Sequence, residues 1–437
     1  MEVISIMQFA GLDVHKKEVE VAIVDDAGKL ILRQRLFTQR EALEEFARQH
    51  LTQCRVALEA TTNCWALVAL LQPLCAEVIV SNPLRTRAIA EAKIKTDRVD
   101  ALVLAQLLRC DFLPTVWCPD EEICRLRHRS TERANLSADS TRIKNRIHAV
   151  LHQRLIPSPF KDLFSKAGRL WLSELSLDKE GAATLARHLR QLELIEKEMA
   201  TLDQSIATTA YQHPQIKLLL TLPGVDVTVA QTILSALGDV TRFPNADKAA
   251  GYLGLVPSTY QSGEHCYHGR ITKQGASHAR WMMVQAAQHI SVHPGPLGVF
   301  FRRLAKKKNR NVAVVATARK MITIAWHMLK NNEPYRYAQP KTLQAKMSRL
   351  RILATGKRKK GGLPKGTPRP ASYGTGNNTK GIASLDSIYE QEHLPPLPPL
   401  TPGELTMLEQ QQVAGFVESI HKSHRVRKAT RSESAHK

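Results

Sequence analysis

The chain has 437 residues, more than one ordinary hydrophobic core accommodates, so two or three domains with linkers are expected. Lys and Arg number 62 against 40 Asp and Glu, a formal net charge of +22 at pH 7, which points to a polyanionic partner held through phosphate contacts, nucleic acid first. The text reads against a membrane partner, because no apolar run approaches the roughly 20 residues of a spanning helix and the start lacks the basic and small-residue signals of a leader; seven cysteines without a C-x-x-C pair or zinc-ligand spacing argue against a disulfide framework or structural zinc and fit reduced thiols in a cytoplasm.

From Gln8 to about Phe37 the sequence reads strand, strand, turn, strand: "QFAGLD", "VEVAIV", Asp25-Asp26-Ala27-Gly28, "LILRQRLF". A helix around Glu41 to His50 follows, then the strand "CRVALEA", a helix through "CWALVALLQPL", the strand "AEVIVSN" and helices from Pro83 to Leu108. Three antiparallel strands followed by alternating helix and strand is the element order of an α/β RNase H-like (RuvC-like) domain, assigned here to residues 1–115. Asp13 and Glu59 end two of these strands, while Asp97 and Asp100 stand three residues apart on one helix face. In the RNase H-like order the first strand is central and the fourth lies beside it, so the fold analogy brings all four acids together. Such carboxylates suit Mg²⁺ or Mn²⁺, and two ions about 4 Å apart can activate one oxygen and stabilise the leaving one in phosphodiester chemistry. Each acid taken singly reads equally well as a solvated surface charge.

Residues 116–210 read as a helical coiled-coil or dimerisation region. A long polar stretch dense in Arg and Lys, "CRLRHRSTERANLSADSTRIKNRIHAVLHQRL", is interrupted by "IPSP". The second long helix carries Leu189, Leu192, Ile195, Met199 and Leu202 at three-to-four-residue spacing, a seam that seeks a partner and predicts antiparallel pairing with the first. Residues 211–332 read as a compact, mainly α domain with a helix-hairpin-helix-like element, "LLLTLPGVDVTVAQTILSAL", in which Gly224 lies in a Pro-Gly turn that could offer backbone N–H groups to a phosphate. Asp226 stands where a second glycine is usual, and a purely structural turn carries equal weight.

Further along, Ser262-Gly263 is placed in a loop, with Arg270, Lys273 and Arg280 following. Exposure, a flexible neighbour and nearby positive charge are what a serine nucleophile attacking a phosphate requires. Ser258 competes for that role. His265, Cys266 and His268 read as polar loop residues, since a fourth metal ligand is missing. Residues 333–437 turn basic, Gly-rich and Pro-rich and are expected to be a largely disordered basic tail, apart from a short helix near Gly403 to His421.

The ordered set "GLDVHK", "ALEAT", "KTDRVDA" and "LPGV…AGYLGLVPSTYQSG…GRITKQG", spread over about residues 7 to 330, resembles the Piv-like DEDD transposases of insertion sequences. The resemblance implies a RuvC-like N-terminal domain, a coiled-coil middle and a C-terminal transposase domain. It places the catalytic, metal-holding tetrad on Asp13, Glu59, Asp97 and Asp100 and the catalytic serine on Ser262. It further implies a DNA transposase or recombinase that uses Mg²⁺ or Mn²⁺, two ions, and a transient phosphoserine–DNA link. The partners implied are donor and target DNA, a guide or bridging non-coding RNA encoded by the element, and further copies of the chain as dimer or tetramer, in a prokaryotic, nucleoid-associated setting. Arg270, Lys273, Arg280 and Gly224 are the expected nucleic-acid contacts. Asp226 and the basic tail depart from the family pattern. Two other readings stay open: a structure-selective RuvC-like endonuclease using water, and a non-catalytic nucleic-acid-binding protein whose acids are structural.

Overall fold

A computed structural model describes residues 7–89, 96–263, 265–357 and 379–427. The chain divides into two compact units, residues 1–120 and residues 121–437.

The first unit is built on one mixed sheet. Strands β1 (Gln8–Val14), β2 (Glu18–Val24) and β3 (Leu30–Phe37) form the antiparallel meander; β4 (Cys54–Glu59) and β5 (Glu77–Ser81) are parallel to β1, and a short β6 (Thr115–Val116) closes the far edge. The order β3-β2-β1-β4-β5-β6 puts β1 and β4 side by side in the middle, compatible with an RNase H-like domain. Strand pleating assigns the two faces. Ala10, Leu12, Val56 and Leu58 point into a core shared with helices α1 (Arg40–His50) and α2 (Cys64–Leu71). On the opposite face Phe9 and Ala57 pack against Leu104, Ala105 and Leu108 of α4 (Asp97–Arg109), which follows the short α3 (Pro83–Ile89). The sheet is thus covered on both sides, which is why β1 and β4 read as continuous apolar runs and not as alternating ones.

The second unit is mostly helical. Its spine is the pair α5 (Glu121–His152) and α7 (Lys179–Gln212), with α6 (Lys166–Glu174) between them in sequence. Arg129 bonds Thr209 at 2.6 Å, Arg133 pairs with Asp203 at 3.1 Å and Arg154 with Asp178 at 2.6 Å, so partners descend along α7 as the number rises along α5. That is antiparallel pairing within one chain. Ile147, Leu151, Leu185 and Leu192 are buried between the arms, with Leu189 and Ile195 packed at the edge. Short helices α8 (Pro214–Leu220), α9 (Val227–Leu237) and α10 (Ala246–Tyr252) lead into a two-stranded hairpin, β7 (Pro257–Ser262) and β8 (His265–Ile271), and then into α11 (Ser277–Gln288), α12 (Pro296–Lys307) and α13 (Arg310–Asn331). By length and composition α13 could cross a membrane, but Ala318, Met321, Ile322 and Ala325 are fully buried among its neighbours, which makes it the core helix of this unit.

Beyond 332 the structure departs from the expected disordered tail. Helix α14 (Pro340–Thr355) buries Leu343, Met347 and Leu350 at helical spacing and packs on α7. Residues 379–427 form β9 (Thr379–Ile382), α15 (Leu385–Gln391), α16 (Pro402–Gln410), α17 (Ala414–Ile420) and β10 (His424–Arg427). The physical reason is the same burial that folds the rest: Tyr389 is 2% exposed and donates its hydroxyl to the Tyr335 carbonyl at 2.6 Å, while Tyr335 N–H donates to Thr221 at 2.9 Å. α16 opens on a complete capping box, Thr401 with Glu404, within the stretch where a short helix was expected. The most basic, Gly- and Pro-rich part, 358–378, lies outside the described residues.

Candidate active site

The site on the first unit begins with a missing side chain. Gly11 sits in β1 on the face turned to α4, and a methyl group there would lie 2.0 Å from the Ala101 carbonyl oxygen and 2.6 Å from the Ala105 nitrogen. Glycine therefore lets the helix backbone come down directly on the central strand. Two residues on, still on that face, is Asp13. The parallel register pairs Leu12 with Leu58, so Asp13 and Glu59 are the next residues on adjacent strands and share the face. α4 starts over these strand ends. Thr96 caps it by accepting from Val99 N–H, and Asp97 and Asp100 occupy the first turn, where the helix dipole favours negative charge.

The acids do not simply repel. His15, two residues beyond Asp13, puts its Nε2 3.1 Å from an Asp13 carboxylate oxygen and 3.3 Å from Asp97. Asp13, His15 and Asp97 each offer a ligand atom within 4.8 Å of the others. Burial lifts the Asp13 carboxyl above its ordinary value; His15 pulls it down, and the charges of Asp97 and Asp100 push it up again. Partial burial of the His15 ring works against its proton, but the Asp13 charge and hydrogen bond, reinforced by Asp97, outweigh that and raise it. A buried Asp13 carboxyl that is already crowded by the charges of Asp97 and Asp100 is electrostatically suited to a divalent cation, and carboxylate and imidazole donors fit Mn²⁺ or, through the carboxylates, Mg²⁺.

A fifth acid completes the setting. Glu20 pairs with Asp13 across β1 and β2, is 4% exposed, and is held by Arg35 at 3.0 Å and by Arg98 at 3.5 Å. Arg98 lies between Asp97 and Asp100, so this bridge ties the first turn of α4 to the sheet. Reasoning from sequence had found the four acids and passed over Gly11, His15 and Glu20. The signals were present in "GLDVHKKEVEV": a glycine and a histidine at even spacing from Asp13, and an acid inside an apolar strand.

The second candidate centre lies on the second unit. Ser262 is the last residue of β7, paired with His265 and exposed, beside Gly263 at φ +58°. It therefore stands at the tip of a hairpin, where a plain loop had been expected. Ser258 is at the other end of the strand and donates to the Arg270 carbonyl at 3.3 Å. Arg270 and Lys273 are exposed. Arg280 is half-buried, and one of its guanidinium nitrogens donates to the carbonyls of Leu253 and Gln274 at 2.9 and 3.0 Å, so it braces the base of the hairpin. Cys266 and His268 approach at 3.9 Å on the same hairpin, as polar surface residues. Gly224 makes the expected tight turn at φ +76°, where an added Cβ would lie 2.4 Å from the Ala286 carbonyl, and Asp226 caps α9 by accepting from Val229 N–H at 2.8 Å. That carboxylate explains the departure from the second glycine: it satisfies the helix terminus from within. The turn lines a cleft of about 290 Å³ with His293 and Lys346, whose ammonium is pushed down to about 8 by burial while donating to the carbonyls of Leu220 and Leu222.

Two family models match this chain. One, of DEDD transposases of the IS110 type, covers residues 10–156, and the other, of the transposase IS116/IS110/IS902 family, covers residues 216–298. Together they span more than half of the chain and both candidate centres. The y4qE protein of Sinorhizobium fredii is 28% identical over 73% of this chain and 78% of its own length. The 43.6 kDa protein of insertion element IS110 from Streptomyces coelicolor is 26% identical over 76% of this chain and 96% of its own. The pilin gene-inverting protein of Moraxella bovis is 26% identical over 59% of this chain and 74% of its own. The ordered acids of the first unit, the second unit with its own matching model, and these relatives agree: the chain belongs to the IS110-type transposases of insertion sequences.

Proposed function

We propose that this transposase cuts and rejoins DNA with two centres of unlike chemistry. Asp13, Glu59, Asp97 and Asp100 would hold two divalent ions, Mg²⁺ or Mn²⁺, and Ser262 supplies the nucleophile. The observation that supports the reading is the cluster of Asp13, at the end of β1, with His15 and with Asp97, at the start of α4, together with the register that makes Glu59 the neighbour of Asp13 on the adjacent strand. When bound, the ions would polarise the scissile phosphate and lower the barrier to losing its ester oxygen. The chain's own residues do the rest. The acids fix the site, Glu20 with Arg35 and Arg98 holds the first turn of α4 in place, and the serine hydroxyl gives up its proton as its Oγ–P bond forms and the bond from phosphorus to one sugar oxygen breaks, that released sugar oxygen taking a proton. Because the new ester keeps the phosphodiester's bond energy, the reverse step rejoins DNA without an external energy source. Arg270, Lys273 and the Arg-rich α5 supply phosphate contacts. Gly224 belongs with them only if the turn's N–H groups reach a phosphate despite the Asp226 cap.

From the family resemblance we further infer that an element-encoded non-coding RNA bridges donor and target DNA, and that the chain acts as a dimer or tetramer, associated with the nucleoid. Sequencing the nucleic acid that copurifies with the protein and measuring the mass of the assembly test these two points.

The deciding experiment for the carboxylates is cleavage of element-end DNA by Asp13→Asn, Glu59→Gln, Asp97→Asn and Asp100→Asn. Each is expected to abolish cutting with DNA binding nearly unchanged, since binding comes from Lys and Arg and the acids organise metal. Asp97→Asn cutting at the wild-type rate in Mg²⁺ would contradict the assignment there.

A further inference from the structure

On the hairpin that carries Ser262, two tyrosines face each other across the strands: Tyr260 pairs with Tyr267. Directly opposed residues of an antiparallel pair project from the same face, and so do residues two further along each strand. Ser262 and its partner His265 therefore share the face of the tyrosine pair, one step of about 7 Å along the strand.

A cross-strand aromatic pair can exist merely to stabilise a hairpin. Exposure decides against that here. Tyr260 is 68% exposed and Tyr267 69% exposed, so neither ring buries much of itself against the other or against the fold, and neither makes a ring contact with another described aromatic. Two large apolar faces left in solvent beside a candidate nucleophile are a surface waiting for a partner. The charge around them selects its kind. In sequence the hairpin and the turn after it carry Arg270 and Lys273, with His265 and His268, against the single acid Glu264, a net positive balance that suits a polyanion better than an acidic protein surface. Duplex DNA is a poor fit for the rings themselves, because stacked bases keep their π-faces to one another. An unpaired base offers its face.

We infer that Tyr260 and Tyr267 form a stacking platform for an unpaired DNA base, seating the nucleotide next to the phosphate that Ser262 attacks. The platform binds single-stranded DNA through ring stacking, while Arg270 and Lys273 hold the backbone. This deepens the serine reading and rests on it for the identity of the neighbouring phosphate, though not for the binding itself.

The test is an affinity comparison with the full chain, using a short labelled single strand and the same sequence as a duplex, across a range of salt. Changing both Tyr260→Ala and Tyr267→Ala is expected to weaken single-strand binding about ten-fold or more. Duplex affinity and the slope of log affinity against log salt stay as in wild type, since no phosphate contact is removed. Tyr260→Phe with Tyr267→Phe should keep single-strand affinity, because stacking needs the ring and not the hydroxyl, and a 2-aminopurine in the strand should be quenched by the wild type and the Phe variant but not by the Ala variant. Single-strand affinity unchanged in the Ala variant would overturn the platform, and so would an equal loss on single strand and duplex, or a loss in the Phe variant as large as in Ala. Mapping the serine adduct separates the two claims. A ten-fold single-strand loss with the adduct on Ser258 leaves the platform standing and removes Ser262; an adduct on Ser262 with full single-strand affinity in the Ala variant does the reverse.

Discussion

Replacing Gly11 with alanine perturbs the candidate metal site without touching any ligand. The added methyl would lie 2.0 Å from the Ala101 oxygen, 2.6 Å from the Ala105 nitrogen and 3.0 Å from the Leu104 Cβ, two of these being helix backbone atoms that cannot rotate away. Restoring ordinary contact requires α4 to withdraw from β1 by roughly 1 Å or more. Overpacking of this kind costs about 1–3 kcal/mol, which for a domain of this size lowers Tm by roughly 5–15 °C. The functional loss should be larger than the stability loss. Asp97 and Asp100 ride on the first turn of α4, so the same retreat opens the site, and a misplacement of about 1 Å costs about a hundred-fold in rate. Three assays read this: thermal unfolding, Mn²⁺ binding by electron paramagnetic resonance, and cleavage of element-end DNA, with DNA affinity as the control expected to stay level. A Gly11→Ala protein with wild-type melting, Mn²⁺ affinity and cleavage would refute the claim that close approach of α4 to β1 builds the site.

Other outcomes follow from the same structure. DNA affinity should fall by orders of magnitude between about 50 and 200 mM salt if several basic side chains track the phosphate backbone, and a flat response in a titration would contradict that footing. Mn²⁺ affinity should decline on acidification sooner than for an ordinary aspartate pair, because burial and the neighbouring acids hold the Asp13 proton at higher pH; an affinity level down to the usual carboxylate range would count against it. His293 is 5% exposed and burial pushes it down to about 4, with Lys346 and Arg302 adding to the effect. Its folded value lies below the unfolded one of about 6.5, so the stability it protects is intact above that pH and drains away as pH falls toward 4, by roughly 3 kcal/mol. In denaturant melts the wild type should therefore lose stability between neutral pH and about pH 4 while His293→Gln loses much less, and an equal acid loss in both would show that another group titrates.

Much of the first unit was legible because its signals are local. Apolar strands ending in Asp13 and Glu59, the turn from Asp25 to Gly28, and Asp97 and Asp100 three residues apart in a helical stretch each declare themselves within a few residues. What escaped was whatever depends on the pleat: Gly11, His15 and Glu20 matter because they share a face with Asp13, and that becomes evident only when β1, β2 and α4 are stacked. β6 was missed since two residues carry no periodicity. In the second unit the pairing of α5 with α7 followed from the Leu192 seam, whereas the hairpin of Ser262 hid behind its short polar strands, which lack an apolar face to betray them. The segment after 332 was misjudged on average composition. Leu343, Met347 and Leu350 already carried a helical spacing, but the basic Gly- and Pro-rich run that follows dominated the reading.

The claim that two centres share the reaction is tested most directly by trapping the protein on cleaved element-end DNA, denaturing it, and mapping the attached peptide by mass spectrometry. The account predicts a denaturation-resistant adduct on Ser262, absent from Ser262→Ala and retained in Ser258→Ala, and formed only with Asp13, Glu59, Asp97 and Asp100 intact. Attachment at Ser258, or clean hydrolytic cuts with no adduct from the wild-type protein, would contradict it and leave the carboxylates of the first unit acting with water alone.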